Sequence, residues 1–472
     1  MTVQSQYALT KSYNQRFDLF SLVRSNTQRY PFLLESTARE EQQQSQTARY
    51  DILLCHPQLT LRKTCDGTLQ LDGDAYAGDA FLPALDQLWR EQRQQTNSLS
   101  ELPFSGGWFI YLAYELAAEI EPSLSLPKTD SQFPIAQASR IPAAIIYDHV
   151  SEQTTIVVET MYSELLEEIE QDLLMHANYA TEQHANLCVA LTEDDPQTYL
   201  DNTLKILDYI REGDVFQVNL SREWQGRVAN QLVQYPLYQR LRQNNPAPFA
   251  GFAALANGAI VSSSPERLVR VQGQQIETRP IAGTRPRMQS RQQDASIQQE
   301  LIQHPKERAE HVMLIDLERN DLGRLCVPGS VKVDEMMVIE SYAHVHHIVS
   351  NVRGQLRPDA TPGEVIAAVF PGGTITGCPK VRCMEIIAEL EQTARGPYTG
   401  SMGYLNHNGD MDLNILIRTI SIEQAQLRLR TGAGLVADSD PEHELAETRA
   451  KAKGLLLAIQ SQRDEEHATL PG

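Results

Sequence analysis

The sequence predicts an α+β fold, in which large antiparallel β-sheets pack as a sandwich and are covered by helices. Three observations favour it: strand-like alternation recurs in pairs joined by short polar turns, helical segments lie between these pairs at irregular spacing, and regular βαβ alternation is missing. A chain of 472 residues, 41% of them hydrophobic, can bury a core of this size. We expect an N-terminal region, 1–190, and a C-terminal domain, 191–465.

The N-terminal region has few clear signals. A polar, Gln-rich segment from Glu35 to Thr47 predicts an exposed loop, and a second weakly patterned stretch runs from Glu91 to Glu101. Between Thr154 and Gln183 the pattern predicts one strand and then an acidic helix.

The C-terminal elements are predicted in this order: a helix Tyr199 to Gly213, a strand Asp214 to Trp224, a hairpin of Ile260 to Val271 and Ile276 to Gly283, a helix Pro305 to Asp316, a strand Ser341 to Gly354, a helix after Thr361, a helix Pro379 to Glu391, a meander of Thr399 to Asn406, Met411 to Ile422 and Leu427 to Val436, and a helix Pro441 to Gln460. Gly213 is a helix stop, and proline suits a first helical turn. Thr361 to Glu364 has the form of a capping box. Asn408-Gly409 between alternating runs is a strong hairpin signal.

Charge and composition exclude several classes of protein. A formal net charge of -20 disfavours general binding to nucleic acid or to anionic membranes. The first twenty residues lack a signal-peptide pattern, and no apolar run approaches the roughly 18 residues of a membrane helix. The six cysteines form no CxxC pair and no zinc spacing. We therefore expect a cytoplasmic protein with reduced thiols.

Two acidic pairs could bind a metal ion. Glu307 and Glu310 lie three apart on one predicted helix, and Glu444 and Glu447 lie three apart on another. Residues at this spacing share a helix face, so two such helices across a cleft would offer four carboxylates, the hard oxygen ligands that Mg²⁺ prefers. Glutamates at this spacing are also typical of a solvated helix face.

Other segments could bind an anionic ligand or carry a reacting side chain. Gly372 to Lys380 is a glycine-rich turn that runs into a helix, whose N–H groups suit a carboxylate; it is not a Walker A loop, and it could be only a tight turn. His347 lies in phase with apolar neighbours, as a core histidine would. Glu266 lies where a strand bends. The glycines in the segment from Gly432 to Gly434 allow the backbone to approach a ligand closely, or only ease the packing of a strand.

From about residue 195 to 460 the chain resembles the chorismate-utilising enzymes, which comprise anthranilate synthase component I, aminodeoxychorismate synthase component I, isochorismate synthase and salicylate synthase. The resemblance rests on eight segments in order: FQVNLS, SSSPERL, RPIAGTRPR, KERAEHVMLIDLERNDLGR, HHIVSNVRG, GGTITGCPKVR, GYLNHNGDMDLNILIRT and GAGLVADSDPEHELAETRAKAK. The N-terminal region is similar to that of component I proteins. The resemblance implies the anthranilate synthase component I-like fold.

The resemblance also implies roles for individual residues. Glu310 and Glu447, with Glu307 and Glu444 beside them, match the carboxylates that hold Mg²⁺, which would bind the ring carboxylate of chorismate. Glu266 matches the acid that protonates the departing C4 hydroxyl, and His347 matches a histidine near the reacting ring. The positions that match substrate contacts are Gly283, Thr284, Thr374, Tyr398, Arg418, Gly432, Gly434 and Lys451.

Gln217 separates the branches of the family. Isochorismate and salicylate synthases carry a lysine at this position, which activates water, whereas the relatives that use ammonia carry glutamine. We therefore expect ammonia as the nucleophile. The chain lacks the cysteine elbow of a glutaminase, so a separate component II glutamine amidotransferase would supply the ammonia.

Two amination products are compatible with these motifs. The spellings FPGGTITG, GSMGYL, DLERNDLGR and VHH, and the N-terminal FSGGWFIYLAYEL, favour aminodeoxychorismate synthase component I, which makes 4-amino-4-deoxychorismate for 4-aminobenzoate and folate. Ala282 favours the alternative, anthranilate synthase component I, because many aminodeoxychorismate synthases carry at this position a lysine that adds to the ring. We predict aminodeoxychorismate synthase; a non-catalytic ligand-binding or scaffold subunit is a third, remote alternative.

Members of the family also hold tryptophan in a pocket near the segments LLES and NPAPF. The resemblance places such a pocket around Ser36, Pro246, Ala247 and Pro248.

Overall fold

The computed structural model describes residues 2–4, 7–38, 49–93, 102–176, 187, 191–288, 290–341 and 345–460. Most of the exposed loop predicted from Glu35 to Thr47, and most of the weakly patterned stretch from Glu91 to Glu101, lies outside these ranges, as does the boundary at residue 190. The prediction of an exposed loop is wrong at its start, because Glu35 ends a strand and both Glu35 and Ser36 are buried. Cys188 also lies outside them, and the other five cysteines are unpaired.

The described chain alternates between strands and helices without a simple repeat. The strands are β1 Thr2–Gln4, β2 Ala8–Tyr13, β3 Phe32–Glu35, β4 Tyr50–Cys55, β5 Thr60–Lys63, β6 Leu69–Leu71, β7 Asp74–Ala75, β8 Gly107–Leu112, β9 Ala136–Ile141, β10 Ala143–Asp148, β11 Gln153–Glu159, β12 Leu191–Glu193, β13 Gln217–Arg227, β14 Phe249–Leu255, β15 Gly258–Ser264, β16 Arg267–Gln272, β17 Gln275–Thr278, β18 Ile281–Pro286, β19 Lys332–Ser341, β20 Val345–Gln355, β21 Gly377–Cys378, β22 Ser401–Asn406, β23 Met411–Asn414, β24 Thr419–Glu423 and β25 Gln426–Leu435. The α-helices are α1 Leu19–Ser25, α2 Phe81–Gln92, α3 Ala117–Ile120, α4 Leu165–His176, α5 Pro196–Glu212, α6 Gln234–Asn244, α7 Arg291–Gln303, α8 Pro305–Gly323, α9 Pro362–Val369, α10 Lys380–Glu391 and α11 Pro441–Ile459. Short 3₁₀ turns lie at Tyr114–Leu116, Thr160–Tyr162, Gln231–Val233 and Gly373–Ile375.

The strands form two large antiparallel sheets. Sheet 1 has 13 strands in the order β1-β2-β11-β10-β4-β3-β14-β15-β24-β25-β13-β12, with β21 beside β13. Sheet 2 has 12 strands in the order β18-β20-β17-β16-β23-β22-β8-β9-β5-β6-β7, with β19 beside β20. N-terminal strands continue both sheets, because β3 pairs with β14 and β8 pairs with β22. The N-terminal and C-terminal regions therefore share both sheets.

The sheets pack face to face, and helices cover their outer faces. Alternate residues of one strand face different cores: Phe32 of β3 lies between the sheets, whereas Leu33 packs under α1, α4, α6 and α11 on the outer face of sheet 1. On sheet 2, Phe109 faces inward and Trp108 packs outward against α2, α8 and α9. The arrangement confirms the predicted α+β sandwich of large antiparallel sheets covered by helices.

Most predicted helix ends are confirmed by their capping. Gly213 ends α5 with φ 87°, in the left-handed region that glycine favours. Thr361 and Glu364 form both hydrogen bonds of the capping box at the start of α9. The helix predicted from Pro305 to Asp316 is longer, since α8 continues to Gly323.

Two predicted strands are wrong because each is divided between the two sheets. The strand from Ile260 to Val271 breaks at Pro265, which has no N–H for a ladder, so β15 belongs to sheet 1 and β16 to sheet 2. The strand from Met411 to Ile422 breaks between β23 in sheet 2 and β24 in sheet 1. The predicted strand from Ile276 to Gly283 is also two strands, β17 and β18, but both of them belong to sheet 2.

A buried ion cluster joins α10 to sheet 1. The Glu391 carboxylate accepts hydrogen bonds from Arg395 Nη2 at 2.6 Å, from Arg430 Nη2 at 3.1 Å and from the Ser221 backbone N–H at 2.8 Å. Burial opposes ionisation of Glu391, but the two guanidinium groups outweigh it and lower its pKa. Arg395 also donates to the Ile375 carbonyl at 3.1 Å, so the cluster fixes the glycine-rich turn.

In the described part of the chain, no helix combines the length and the apolar character needed to cross a membrane.

We predict that Glu391→Gln lowers the free energy of unfolding by about 3–5 kcal/mol, because it leaves two arginines buried without their counter-charge. Denaturant unfolding followed by circular dichroism measures the change. Glu385→Gln on the same helix is the matched control: Glu385 forms an exposed i,i+3 pair with Arg382, and its loss should cost at most about 1 kcal/mol. Equal stability of the two variants would contradict the cluster's structural role.

Candidate active site

The site forms where two strands cross from one sheet to the other. Glu266 lies in the crossing between β15 and β16, and Arg418 lies in the crossing between β23 and β24 with φ 52°. The crossings touch: the Ile415 N–H donates to the Glu266 carbonyl at 3.0 Å, and Ser264 Oγ donates to the Ile415 carbonyl at 2.5 Å. These hydrogen bonds between the two crossings therefore fix the positions of Glu266 and Arg418 relative to each other.

Glu266 is a buried carboxyl group with little compensation for its charge. It is 5% exposed, and burial raises its pKa to about 7. The Thr374 hydroxyl, the Ile281 N–H at 3.5 Å and the positive charge of Lys451 oppose this rise without offsetting it. Thr374 Oγ1 is itself buried and has no partner at normal hydrogen-bond distance among the described residues. Glu266 can therefore hold a proton near neutral pH.

His347 lies on β20 opposite β18, where the strand carries a bulge at Gly283. Burial lowers the pKa of His347 to about 4, and the charge of Arg418 adds to the effect, so the ring is neutral at pH 7. Gly283 has φ 67°, and a Cβ there would lie 2.7 Å from Glu307 Oε2. Ala282 is buried beside the bulge, and Thr284 pairs with His347 through its backbone. The Thr284 side chain lies outside the described part of the structure.

Amide side chains of β13 fill the space above two glycines of β25. A Cβ at Gly434 would overlap the Gln217 amide nitrogen, and one at Gly432 would lie 2.7 Å from Asn219 Oδ1 and 2.9 Å from the Tyr398 hydroxyl. Gln217 Oε1 and Asn219 Oδ1 are buried and have no hydrogen-bond partner among the described residues. Both oxygens can accept a hydrogen bond from a ligand.

Positive groups face the same space. Lys451 Nζ donates to the Gly432 carbonyl at 3.0 Å and pairs with Glu447 Oε1 at 2.7 Å. Burial lowers the pKa of Arg418, and the nearby Tyr398 hydroxyl and Glu447 carboxylate oppose this shift. The guanidinium stays charged at neutral pH. The site thus offers two cations, Lys451 and Arg418, to an anionic ligand.

The acidic pair on α8 lies beside the bulge. Glu307 Oε1 accepts a hydrogen bond from Arg285 Nη1 at 3.2 Å, and Gly283 leaves room for its carboxylate. Glu310 follows one turn later on the same helix and is partly buried. Glu307 therefore faces the strand that carries the bulge.

The acidic pair on α11 is held differently. Glu444 is buried and accepts from Ser439 Oγ at 2.7 Å, whereas Glu447 is partly exposed and pairs with Lys451. No group of three or more His, Cys, Asp or Glu side chains within the described ranges is close enough to hold a metal ion. Binding of Mg²⁺ by Glu307, Glu310, Glu444 and Glu447 therefore stays a prediction.

Two residues at the site were not predicted. Asn219 lies two positions after Gln217 on β13, so strand periodicity places both on one face, and that signal was available in the sequence. Glu318 on α8 is 7% exposed, but in the sequence it lies in the charged run Asp316 to Arg319, which is typical of a solvated helix surface.

A separate cavity of about 700 Å³ lies between the sheets, lined by residues that include Ser36 and Pro248. Ser36 Oγ donates to the Pro248 carbonyl at 3.0 Å, and the Ala247 N–H donates to Thr37 Oγ1 at 2.9 Å. The segments that contain Ser36, Pro246, Ala247 and Pro248 are thus adjacent. Tryptophan binding in this cavity stays a prediction.

Comparison with known proteins identifies the family. Residues 37–457 match the family described as chorismate binding enzyme. An anthranilate synthase component I-like protein of Synechocystis sp. is 42% identical over 367 residues, 77% of this chain and 75% of that protein. Aminodeoxychorismate synthase component 1 of Bacillus subtilis is also 42% identical, over 385 residues, 79% of this chain and 81% of that protein.

The fold matches a solved relative. The crystal structure of anthranilate synthase component I from Streptococcus pneumoniae superposes with a TM-score of 0.77 and 31% identity, and covers 89% of this chain and 96% of that one. The two relatives of equal identity carry different names, so similarity alone leaves the reaction product open.

We predict that the Glu266 carboxyl group titrates near pH 7 rather than near its usual value of about 4.3. Carbon-13 NMR of protein labelled at glutamate Cδ measures the midpoint, and Glu266→Gln assigns the signal. Lys451→Met should raise the midpoint further, because the lysine charge stabilises the ionised carboxylate. A midpoint near the usual value would contradict the burial argument.

Proposed function

The chain belongs to the chorismate binding enzyme family, and from this premise we propose that it makes 4-amino-4-deoxychorismate from chorismate and ammonia. The observation that carries the proposal is the buried Glu266, whose pKa of about 7 keeps a large fraction of the carboxyl protonated at neutral pH. An ordinary glutamate would be almost fully ionised there and could not donate a proton.

Glu266 would protonate the C4 hydroxyl of chorismate as it leaves. This transfer makes water the leaving group and requires no hydroxide in a buried site. His347 is neutral at pH 7, so it adds no positive charge to the buried site, and its ring forms a hydrogen bond with the Gly283 backbone.

The amide of Gln217 supports ammonia rather than water as the nucleophile. An amide cannot remove a proton from water at neutral pH, whereas ammonia carries its own lone pair and requires no base before it attacks. The buried Gln217 Oε1, without a partner among the described residues, can accept a hydrogen bond from a bound N–H group.

The carboxylates of chorismate match the cations of the site. Arg418 offers a planar fork suited to a carboxylate, and Lys451 offers a point charge beside Gly432. Mg²⁺ would add further charge at the ring carboxylate, held by Glu310 and Glu447 with Glu307 and Glu444 nearby, and completed by oxygens of the ligand and water.

Ala282 limits the route to the product. Its methyl group cannot form a covalent bond to the ring, so nitrogen must reach C4 without an adduct at this residue. The same alanine supports the second candidate, anthranilate synthase component I, which forms anthranilate and pyruvate from chorismate and ammonia. Under either candidate a component II glutamine amidotransferase would supply ammonia, in keeping with the component I names of the relatives.

We predict that the purified chain, incubated with chorismate, Mg²⁺ and an ammonium salt, forms an amino-chorismate that a separate lyase converts to 4-aminobenzoate. Liquid chromatography with mass spectrometry identifies the product before and after the lyase is added. Fluorescent anthranilate and pyruvate without a lyase would instead establish the second candidate. Turnover without ammonium salt would contradict both.

We predict that Glu310→Gln and Glu447→Gln each weaken Mg²⁺-dependent binding of chorismate by at least about tenfold, because each removes one anionic oxygen ligand. Calorimetric titration with chorismate, with and without Mg²⁺, measures binding apart from turnover. Glu442→Gln is the matched control, since Glu442 is an exposed residue of the same α11 helix. Wild-type affinity in both variants would contradict the proposed metal site.

A further inference from the structure

A second buried glutamate, Glu318, lies close to Glu266 on the other side of the glycine-rich turn. Helix α8 packs against the turn at Gly373, where a Cβ would lie 3.5 Å from Glu318 Oε1 and would overlap Leu317. The next residue of the turn is Thr374, whose hydroxyl lies beside Glu266. Glycine at 373 thus allows Leu317 of α8 to pack closely against the turn, which brings the neighbouring Glu318 carboxyl group beside the turn that contacts Glu266.

The nearest cation is already used by another carboxylate. Lys380 Nζ donates to Asp321 Oδ2 at 2.6 Å, and Asp321, one turn along α8 from Glu318, is 2% exposed. Burial raises the pKa of Glu318 well above its usual range, and the negative charges of Asp321 and Glu266 raise it further, while Lys380 and Thr278 oppose the rise. Glu318 therefore carries a proton at neutral pH.

Two hydroxyl groups accompany the two carboxyl groups. Thr278 interacts with Glu318, and Thr374 interacts with Glu266. Within the described ranges, neither hydroxyl oxygen has a hydrogen-bond partner at normal distance, although both are buried, so each is open to a water molecule that bridges it to a carboxyl group. A hydroxyl can accept one proton while it donates another, so a bridged hydroxyl can pass a proton between acids that do not touch.

We propose that Glu318 returns to Glu266 the proton that Glu266 donates in each turnover. The inference rests on the proposed role of Glu266 as the acid for the departing hydroxyl. The O–H bond of Glu318 breaks as an O–H bond of Glu266 forms, with Thr374 and a bridging water as intermediate donors and acceptors, and solvent later supplies a proton to Glu318. Net charge is conserved in the transfer, and no other reactant is needed.

The pair suits this role because two neighbouring buried carboxyl groups resist losing both protons. When Glu266 has donated its proton, the last proton of the pair is held on Glu318 and can move back. Glu318 is thus a positioning residue for the proton: it acts through Glu266 and does not contact the substrate.

The test compares the first turnover with the steady state in Glu318→Gln, which keeps the side-chain shape but cannot donate an acidic proton. We expect the first-turnover rate, measured with enzyme in excess of chorismate at pH 6.5, to stay within about twofold of wild type, and steady-state kcat to fall about tenfold. Added imidazole, which is largely protonated to the weak acid imidazolium at pH 6.5, should restore kcat in the variant more than in wild type. Glu318→Asp, which keeps the acid, should retain most of the turnover.

Two results would overturn the inference. Unchanged steady-state kcat in Glu318→Gln would mean that Glu318 has no part in turnover. An equal loss of the first-turnover and steady-state rates, without response to imidazole, would mean that the residue is only structural. Infrared spectra at pH 7 check the ground state independently of turnover, since the variant should lose one protonated-carboxyl band.

These outcomes are separable from failure of the proposed function, because all rates are measured as consumption of chorismate whatever the product. If the wild-type chain consumes no chorismate, the proposed function fails and this inference fails with it. If wild type consumes chorismate and Glu318→Gln behaves identically, only the inference about Glu318 fails.

Discussion

The site depends on two chain segments that cross between the sheets side by side. The hydrogen bond from the Ile415 N–H to the Glu266 carbonyl joins these crossings, and it fixes the distance between an acid on one segment and Arg418 on the other. A strand that stayed in one sheet would direct its side chains into a filled core. At the crossings the hydrogen-bond ladders of the sheets are interrupted, so polar side chains there can face a ligand without disrupting the pairing of strands in either sheet.

Nearby cations determine whether each buried carboxyl group is ionised at neutral pH. Glu391 and Glu266 are both deeply buried, yet the pKa of Glu391 is lowered and that of Glu266 is raised. Arg395 and Arg430 bond directly to Glu391, whereas Lys451 influences Glu266 only at longer range. The first group therefore stays ionised and stabilises the fold, and the second keeps a proton near neutral pH.

Local signals in the sequence were sufficient for much of the secondary structure. The capping box at Thr361, the stop at Gly213 and the Asn408-Gly409 turn depend on neighbouring residues alone, and the structure bears each of them out. The crossing from β23 to β24 could not be predicted in this way, because Ile415, Leu416 and Ile417 continue the apolar pattern while the strand changes sheet. At the other crossing Pro265 indicates a bend, but no local signal indicates that the chain enters the second sheet. Glu318 was missed for a related reason: only tertiary packing at Gly373 reveals that this part of a charged helix is buried.

The pH dependence of kcat/KM for chorismate, compared between wild type and Glu266→Gln, tests the central claim most directly. The account predicts that wild-type kcat/KM falls as pH rises through about 7, because the acid loses its proton. Glu266→Gln should be slower by about 10²–10⁴ and should lack this basic limb. A variant that keeps wild-type activity, or that shows the same basic limb, would contradict the assignment of Glu266 as the proton donor.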